Sequence, residues 1–395
     1  MALITSELSN IFDFANGKSI KPNGSGDYKA FGANGIIGGS EDFNHEDGII
    51  IGRVGAYCGA VARCKEKFWA SDNTIVAYPK EENFSKSYAY YFLKNLDLNK
   101  YAGGSAQPLL TQTTLKKVAI KYHDSKCERD TIGELILKYD ELIENNNRRI
   151  AILEDMAQSL YREWFVNFRY PGHKDNLDAD GNLKLVDSPL GQIPEGWEVS
   201  ELKSFCGKIG SGATPRGGKG AYKKEGIPLI RSMNIYDSKL ITKDLAFIDD
   251  EQAARLKNVI VEPGDVLLNI TGASVARCSI VPSAYTPARV NQHVAIIRLN
   301  SNRLSPEFLM YILISKNGKA RLLSTAQGGA TREALTKTDI EKFQVVVPHS
   351  EIIEKFNSFV KSAVKQKEVL FLKNENLKKQ RDMLLPKLIS GTIKL

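Results

Sequence analysis

The sequence predicts an α+β protein: two mainly-β units joined by two long antiparallel helices packed like a coiled coil, the whole a pseudo-two-fold internal repeat. Three observations carry this. Two stretches, 131–165 and 351–395, keep apolar residues at three- and four-residue steps well beyond the average helix length. The segments before them match one another in three collinear blocks. Within those segments, short β-branched runs broken by glycine replace the helical period. The expected order is a β unit over 1–130, a helix over 131–165, a linker over 166–195, a second β unit over 196–350 and a C-terminal helix over 351–395.

In the first unit, GIIIGRVGAYCGAVARC and NTIVAYP read as strands, YAYYFLKNL as a short helix and VAIKYH as an edge strand. The helix that follows places Ile132, Leu135, Tyr139, Leu142, Leu153, Met156 and Leu160 on one stripe, widened by Ile136, Ile143, Ile150, Ala157 and Trp164. At about 1.5 Å per residue it spans roughly 50 Å. Its expected partner carries Ile353, Phe356, Val360, Ala363, Leu370, Leu377 and Leu384. Asn146 and Arg149, with Lys367, Asn374 and Arg381, fall on the stripes, where polar residues weaken a seam but set its register. Between the helix and the second unit, RYPGHKDNLDADGN and DSPLGQIPEGW gather Gly, Pro and Asp as a linker does. The second unit repeats the first plan with GDVLLNITGASVARCSIV, VNQHVAIIRLN, PEFLMYILIS and FQVVVPH.

The repeat is visible at three shifts. At 194, Glu7-Leu8, Gly24, Gly26 and Tyr28 meet Glu201-Leu202, Gly218, Gly220 and Tyr222. At 214, Val61-Ala62-Arg63-Cys64 meets Val275-Ala276-Arg277-Cys278. At 225, the stretch from Gly103 meets the stretch from Gly328, sharing Gly-Gly, Leu110/Leu335, Thr111/Thr336, Thr113/Thr338 and Lys117/Lys342. The second copy has about twenty extra residues between Tyr222 and Gly264, so a common frame carries different inserted surface.

Composition narrows the function. Five cysteines without a CxxC pair offer neither a disulfide framework nor a zinc site. No apolar run approaches a membrane span and the N-terminus has no signal-peptide pattern, so a cytoplasmic protein is expected. The net charge of +8 is uneven: +1 over 1–130, −5 over 131–195, +7 over 196–350 and +5 over 351–395. That balance favours a polyanionic partner, and the acidic first helix suits a basic second one. Gly17-Lys18-Ser19 imitates a phosphate-binding loop but has Phe12 where the earlier glycine belongs. Gly218-Lys219-Gly220 fails the same test at Ala213 and Gly220. The five histidines form no i,i+4 pair, and the acidic-x-Lys triplets are what a chain this charged produces by chance, so no catalytic constellation is present.

The loops instead concentrate residues that grip phosphate and read base edges. In the second unit these are Thr214, Arg216, Lys219, Tyr222, Lys223, Arg231, Ser232, Asn234, Asn269, Thr271, Ser274, Asn291 and Gln292; in the first, Lys18, Lys21, Arg53, Tyr57 and Gln107. Arg63 and Arg277, inside the shared block, suit framework equally well.

MAQSLYREWFVNFRYPGH, DSPLGQIPEGWEVSEL, GDVLLNITGASVARCSIV, NQHVAIIRL and KKQRDMLLPKLISG together resemble the specificity (S) subunit of type I restriction-modification systems, over nearly the whole chain. The resemblance implies two target-recognition domains, each reading one half of a bipartite site on double-stranded DNA, held apart by the antiparallel helices. It implies docking of two methyltransferase (M) subunits and of restriction (R) subunits, in phage defence. The chain itself would be non-catalytic and hold no cofactor, with S-adenosylmethionine, Mg2+ and ATP expected on the partner subunits. The first unit departs from the family pattern by lacking a GWE-like opening. Two different copies around a pseudo-two-fold axis would read unlike half-sites, as symmetric dimers read like ones. The alternative is a coiled-coil scaffold without DNA readout of its own.

Overall fold

The structure, a computed structural model, describes residues 2–80, 84–104, 107–327 and 333–395. The chain divides into two compact units, one formed by Met1–Asn147 with Leu372–Leu395 and the other by Arg148–Phe371. Each therefore owns part of both long helices, Lys126–Tyr161 and Ser350–Ile389.

In the first unit a six-stranded sheet runs in the order Phe12–Asn16, Thr74–Pro79, His45–Gly52, Val61–Ala70, Tyr28–Gly32, Gly35–Ser40. Its central strand is the apolar run Ile49-Ile50-Ile51, buried on both faces as such runs require. Ile49 and Ile51 face the larger core with Phe92, Leu115 and Ile132, while Ile50 faces Phe31, Phe68 and Val76. Helix Lys86–Asn95, capped by Ser85, covers the first face, and the ribbon of Leu3–Glu7 with Ala119–His123 closes the unit. The long helix crosses helix Lys86–Asn95 closely at Gly133, where a Cβ would stand 2.6 Å from the Tyr88 nitrogen. The end of the second long helix contributes Leu385, Leu388 and Ile389 to this same core. That accounts for the apolar spacing in KKQRDMLLPKLISG.

Here the two helices run antiparallel with polar groups inside the seam. Asn146 Nδ2 donates to Asn374 Oδ1 at 2.9 Å, Asn374 Nδ2 to Asn147 Oδ1 at 2.9 Å, and Arg381 Nη1 to Asp140 Oδ1 at 2.5 Å. Two parts of the expected stripe are displaced. Leu142 is 51% exposed and Arg149 is exposed, while Ile132, Ile136, Ile143 and Asn146 are buried. Ile132 and Asn146 belong to the expected stripe and Ile136 and Ile143 to the adjoining face, so the covered face lies between the two, because the helix must also cover the unit's own sheet.

In the second unit the sheet is split. One part runs Cys206–Ser211, Val294–Leu299, Val266–Asn269, Cys278–Ile280, the other Ala246–Ile248, Ile227–Ile230, Ala288–Val290, Ile260–Val261. In the first unit the single strand Val61–Ala70 pairs antiparallel with His45–Gly52 and parallel with Tyr28–Gly32. Its counterparts in the second are the separate strands Cys278–Ile280 and Ala288–Val290. The extra residues form two inserts: the hairpin of Ile235–Tyr236 with Lys239–Leu240, and the segment carrying helix Asp250–Arg255. Helix Pro306–Ile314 matches the short helix of the first unit, with Tyr311 bonded to Glu154 as Tyr91 is bonded to Asp140. Helix Lys316–Gln327 was not foreseen.

The first long helix starts at Lys126, before the expected 131, and ends in a π-helical turn at Arg162–Val166. Its end packs Trp164 and Phe165 into the second unit's core. The stretch 166–195 is more than a linker: Leu185–Ser188 and Gly191–Pro194 form a hairpin. The GQIPEGW motif then buries Ile193 and Trp197, the indole ring 5.9, 5.6 and 5.2 Å from Phe165, Phe168 and Tyr170. On this part of the stripe Met156 is 61% exposed, whereas Ala157, Phe356 and Val360 are buried.

Candidate nucleic-acid interface

In the first unit, five backbone hydrogen bonds lace the loops together where Asn16, Gly52 and Thr74 end or begin their strands. Gly17 N–H donates to Thr74 O (3.3 Å), Lys18 to Ala70 O (2.9 Å), Ser71 to Phe31 O (2.9 Å), Arg53 to Asn73 O (3.0 Å) and Leu110 to Arg53 O (2.8 Å). The second unit repeats all five. Gly212 donates to Val294 O (2.8 Å), Ala213 to Val290 O (3.0 Å), Asn291 to Ile230 O (3.2 Å), Ile270 to His293 O (3.0 Å) and Leu335 to Ile270 O (2.8 Å). Gly17 and Gly212 are both required by close approach, since a Cβ would meet Ser71 O at 1.9 Å or Val290 O at 2.2 Å.

The turn after the central strand is equally shared. Gly52 donates to Ala60 O and Gly59 to Gly52 O, each at 2.8 Å; Asn269 donates to Arg277 O at 2.8 Å and Ala276 to Asn269 O at 2.9 Å. Gly59 and Ala276 both hold positive φ, +86° and +65°. The ladders agree, pairing Ile51 with Val61 and Leu268 with Cys278.

These bonds revise the sequence alignment of the copies. Val61 corresponds to Cys278, so the two Val-Ala-Arg-Cys blocks lie three residues out of register. Tyr28 corresponds to Ile227, since they pair with Ser40 and Ile248, and Asn23 to Lys223 through their bonds to Gly39 O and Phe247 O. The matches of Gly24, Gly26 and Tyr28 with Gly218, Gly220 and Tyr222 therefore do not hold. Glu7-Leu8 and Glu201-Leu202 do hold, with Leu8 bonded to Val118 O (3.0 Å) and Leu202 to Phe343 O (2.8 Å). So does the Leu-Thr-x-Thr block, where Thr111 and Thr336 cap equivalent short helices. Gly328-Gly329 of that block lies outside the described residues.

The predicted contact residues separate into surface and framework. Lys18, Lys21, Tyr57, Gln107, Thr214, Arg216, Lys219, Lys223 and Gln292 are exposed. Among the described residues no ion pair holds Lys18, Lys21, Arg216 or Lys219, which leaves their charges free to displace counterions from a phosphate backbone. Lys223 meets Asp249 at 3.6 Å. Tyr57 heads the shared turn, and Gln107 precedes Pro108, whose carbonyl accepts from Gly55 N–H at 3.1 Å. Arg53 is half-buried, its Nε enclosed without a protein partner.

In the second unit most candidates are bonded to one another. The Arg231 guanidinium lies 5.4 Å from the Tyr222 ring and donates to Asp244 O. Thr214 donates to the Gln292 amide oxygen, and Thr271 Oγ1 is hydrogen-bonded to His293 Nδ1 at 2.6 Å. Three asparagines prove to be framework. Asn234 is fully buried and donates to Ile241 O at 2.9 Å while accepting from Arg231 N–H at 3.1 Å. Asn269, also fully buried, donates to Ser232 O at 2.9 Å and Ser274 Oγ at 3.2 Å. Asn291 is 9% exposed and its Oδ1 accepts from His293 N–H at 3.3 Å. Of the shared-block arginines, Arg63 meets Asp47 at 3.5 Å and Arg277 stacks 4.3 Å over Tyr236. Asp72, Asn73 and His293 escaped the sequence reading although they occupy the laced loops. Only the structural equivalence of their turns singles them out.

Among the described residues, no group of three or more His, Cys, Asp or Glu is gathered as a metal site, and no helix is long and apolar enough to cross a membrane. The type I restriction modification DNA specificity domain matches residues 4–155 and 194–376, one stretch for each copy. The chain belongs to this family. As a specificity subunit it is a recognition component and not a catalytic one. It is similar to the type I restriction enzyme MjaIX specificity subunit of Methanocaldococcus jannaschii, 28% identical over 360 residues covering 88% of this chain and 78% of that one. The HindI specificity subunit of Haemophilus influenzae is 22% identical over 72% of this chain and 71% of its own. The crystal structure of a type I S subunit from M. genitalium shares the fold, with a TM-score of 0.63 at 16% identity, over 98% of this chain and 96% of that one.

Proposed function

We propose that this specificity subunit reads a bipartite, asymmetric site on double-stranded DNA, one half with each unit, and presents the site to two methyltransferase subunits docked on its helices, a core that restriction subunits join. The observation that carries the reading is the five-bond lacing: two loop clusters with one backbone plan bear different side chains. A shared plan allows related docking on DNA, and different side chains call for different bases. Exposed apolar side chains on the helices support docking: Leu142 and Met383 on the first unit, and Ile152, Met156, Phe359 and Val369 on the second. S-adenosylmethionine, Mg2+ and ATP belong to the partner subunits in this reading, and the assembly works in the cytoplasm. The domain limits proposed for exchange are 1–130 and 196–350. Replacing 196–350 with the equivalent unit of a relative, then sequencing the methylated sites in cells carrying the complete system, tests it. One half-site should change and the other persist; a change in both halves refutes separate reading. A non-DNA scaffold would leave the methylated sites untouched by the exchange.

A further inference from the structure

The loops Ser71–Thr74 and Asn291–Val294 are the same turn built from different residues. Each is closed by its own backbone bond, Thr74 N–H to Ser71 O at 3.0 Å and Val294 N–H to Asn291 O at 3.1 Å. In each, the first side chain caps the turn from inside: Ser71 Oγ accepts from Asn73 N–H at 3.3 Å, and Asn291 Oδ1 from His293 N–H at 3.3 Å. Ser71 and Asn291 are both buried. The third residue is tied by its carbonyl to the central turn, Asn73 O to Arg53 and His293 O to Ile270. Of the side chains at these turns, that of the second residue, Asp72 or Gln292, is exposed in both units, whereas the third is exposed as Asn73 but half-buried as His293, where it is bonded to Thr271.

We infer that Asp72 and Gln292 are specificity-determining residues, each reading a base edge at the corresponding place of its own half-site. This rests on the DNA-reading function proposed above. Their chemistry differs in a way that bears on bases. The Asp72 carboxylate only accepts, so it selects a base amino group, best met by cytosine N4, and phosphate repels it. The Lys18 N–H is bonded to Ala70 O, two residues before Asp72, so the exposed Lys18 and Asp72 belong to adjoining loops, which fits a base contact flanked by a phosphate contact. Gln292 accepts from Thr214 Oγ1 through its amide oxygen, which leaves the Nε2 amino group as the donor it offers to a base. It therefore selects an acceptor edge such as a purine N7. Asn291, named beside Gln292 from the sequence, is spent on the turn.

The test uses the complete system in cells and the assembled complex in vitro, with Asp72→Gln, Asp72→Glu and Gln292→Glu. The wild-type methylated motif comes first, because absence of any motif dependent on this chain defeats the parent reading and not this inference. With a motif in hand, Asp72→Gln should change the preference at one base pair of one half-site, with discrimination of about 5- to 100-fold lost or moved there. Gln292→Glu should do the same at one base pair of the other half, and Asp72→Glu should keep the original base. Should a variant abolish methylation, binding of its assembled complex to a library of half-sites decides. Weakening confined to one position supports the inference, while uniform weakening across all sequences overturns it. An unchanged motif in both Asp72→Gln and Gln292→Glu overturns it equally.

Discussion

Replacing Asn374 by leucine should destabilise the first unit, and replacing Asn146 as well should restore much of the loss. Asn374 is 2% exposed and Asn146 9%, so neither amide has ready access to water. In Asn374→Leu, Asn146 Nδ2 loses its 2.9 Å acceptor while remaining buried, and Asn147 Oδ1, on an exposed residue, loses a donor that water can replace. The stranded amide costs about 1–3 kcal/mol, against about 1 kcal/mol for an ordinary hydrogen bond. A single loss near 2 kcal/mol lowers the midpoint of a unit this size by about 4–8 °C. In Asn146→Leu/Asn374→Leu no buried amide is left unpaired, and apolar residues of similar shape fill the seam at little cost. The double variant should thus melt above Asn374→Leu, with a coupling of about 1–3 kcal/mol. Thermal proteolysis of the tagged full chain in clarified lysate, read by immunoblot, measures this without purification. If Asn374→Leu melts within about 1 °C of wild type, or the double loss equals the sum of the singles, the buried amide ladder does not act as argued.

Three further outcomes follow from burial and contact. Gly133→Ala should cost about 1–3 kcal/mol, because its Cβ would stand 2.6 Å from the Tyr88 nitrogen, and the same melting assay reads it. Of five thiols only Cys127 should react rapidly with a maleimide near pH 8: Cys58, Cys64 and Cys278 are buried, and burial pushes the Cys206 thiol up to about 12, so it stays protonated there. Mass spectrometry of the native chain should show one fast adduct, and five after unfolding. Expressed without partners, the chain should partition largely into the pellet, and Ile152→Glu/Met156→Lys/Phe359→Glu should both return it to the supernatant and abolish co-purification with methyltransferase subunits. A wild-type chain that stays soluble and monodisperse alone would count against the apolar docking face.

Much of this protein was determined by its sequence alone, wherever the signal is local. The long helices follow from apolar periodicity, which a single segment carries within itself, and the duplicated order of units follows from blocks that cap helices or pair edges, such as Leu110-Thr111 and Leu335-Thr336. Asn146 and Asn374 were legible as buried polar positions for the same reason. Which row of the helix is covered was not, because Leu142 and Met156 satisfy the period as well as Ile143 and Ala157 do, and only the neighbouring sheet chooses between them. Nor was the correspondence of the binding loops. The four identities at Val-Ala-Arg-Cys match those blocks to one another, yet the structure slips them by three residues. The reason is physical: the loops are aligned by backbone N–H and C=O groups, which every non-proline residue supplies whatever its side chain. A frame held by such bonds leaves the outward side chains free to differ, so Gln292 was found by residue type and Asp72 only by its place in the fold.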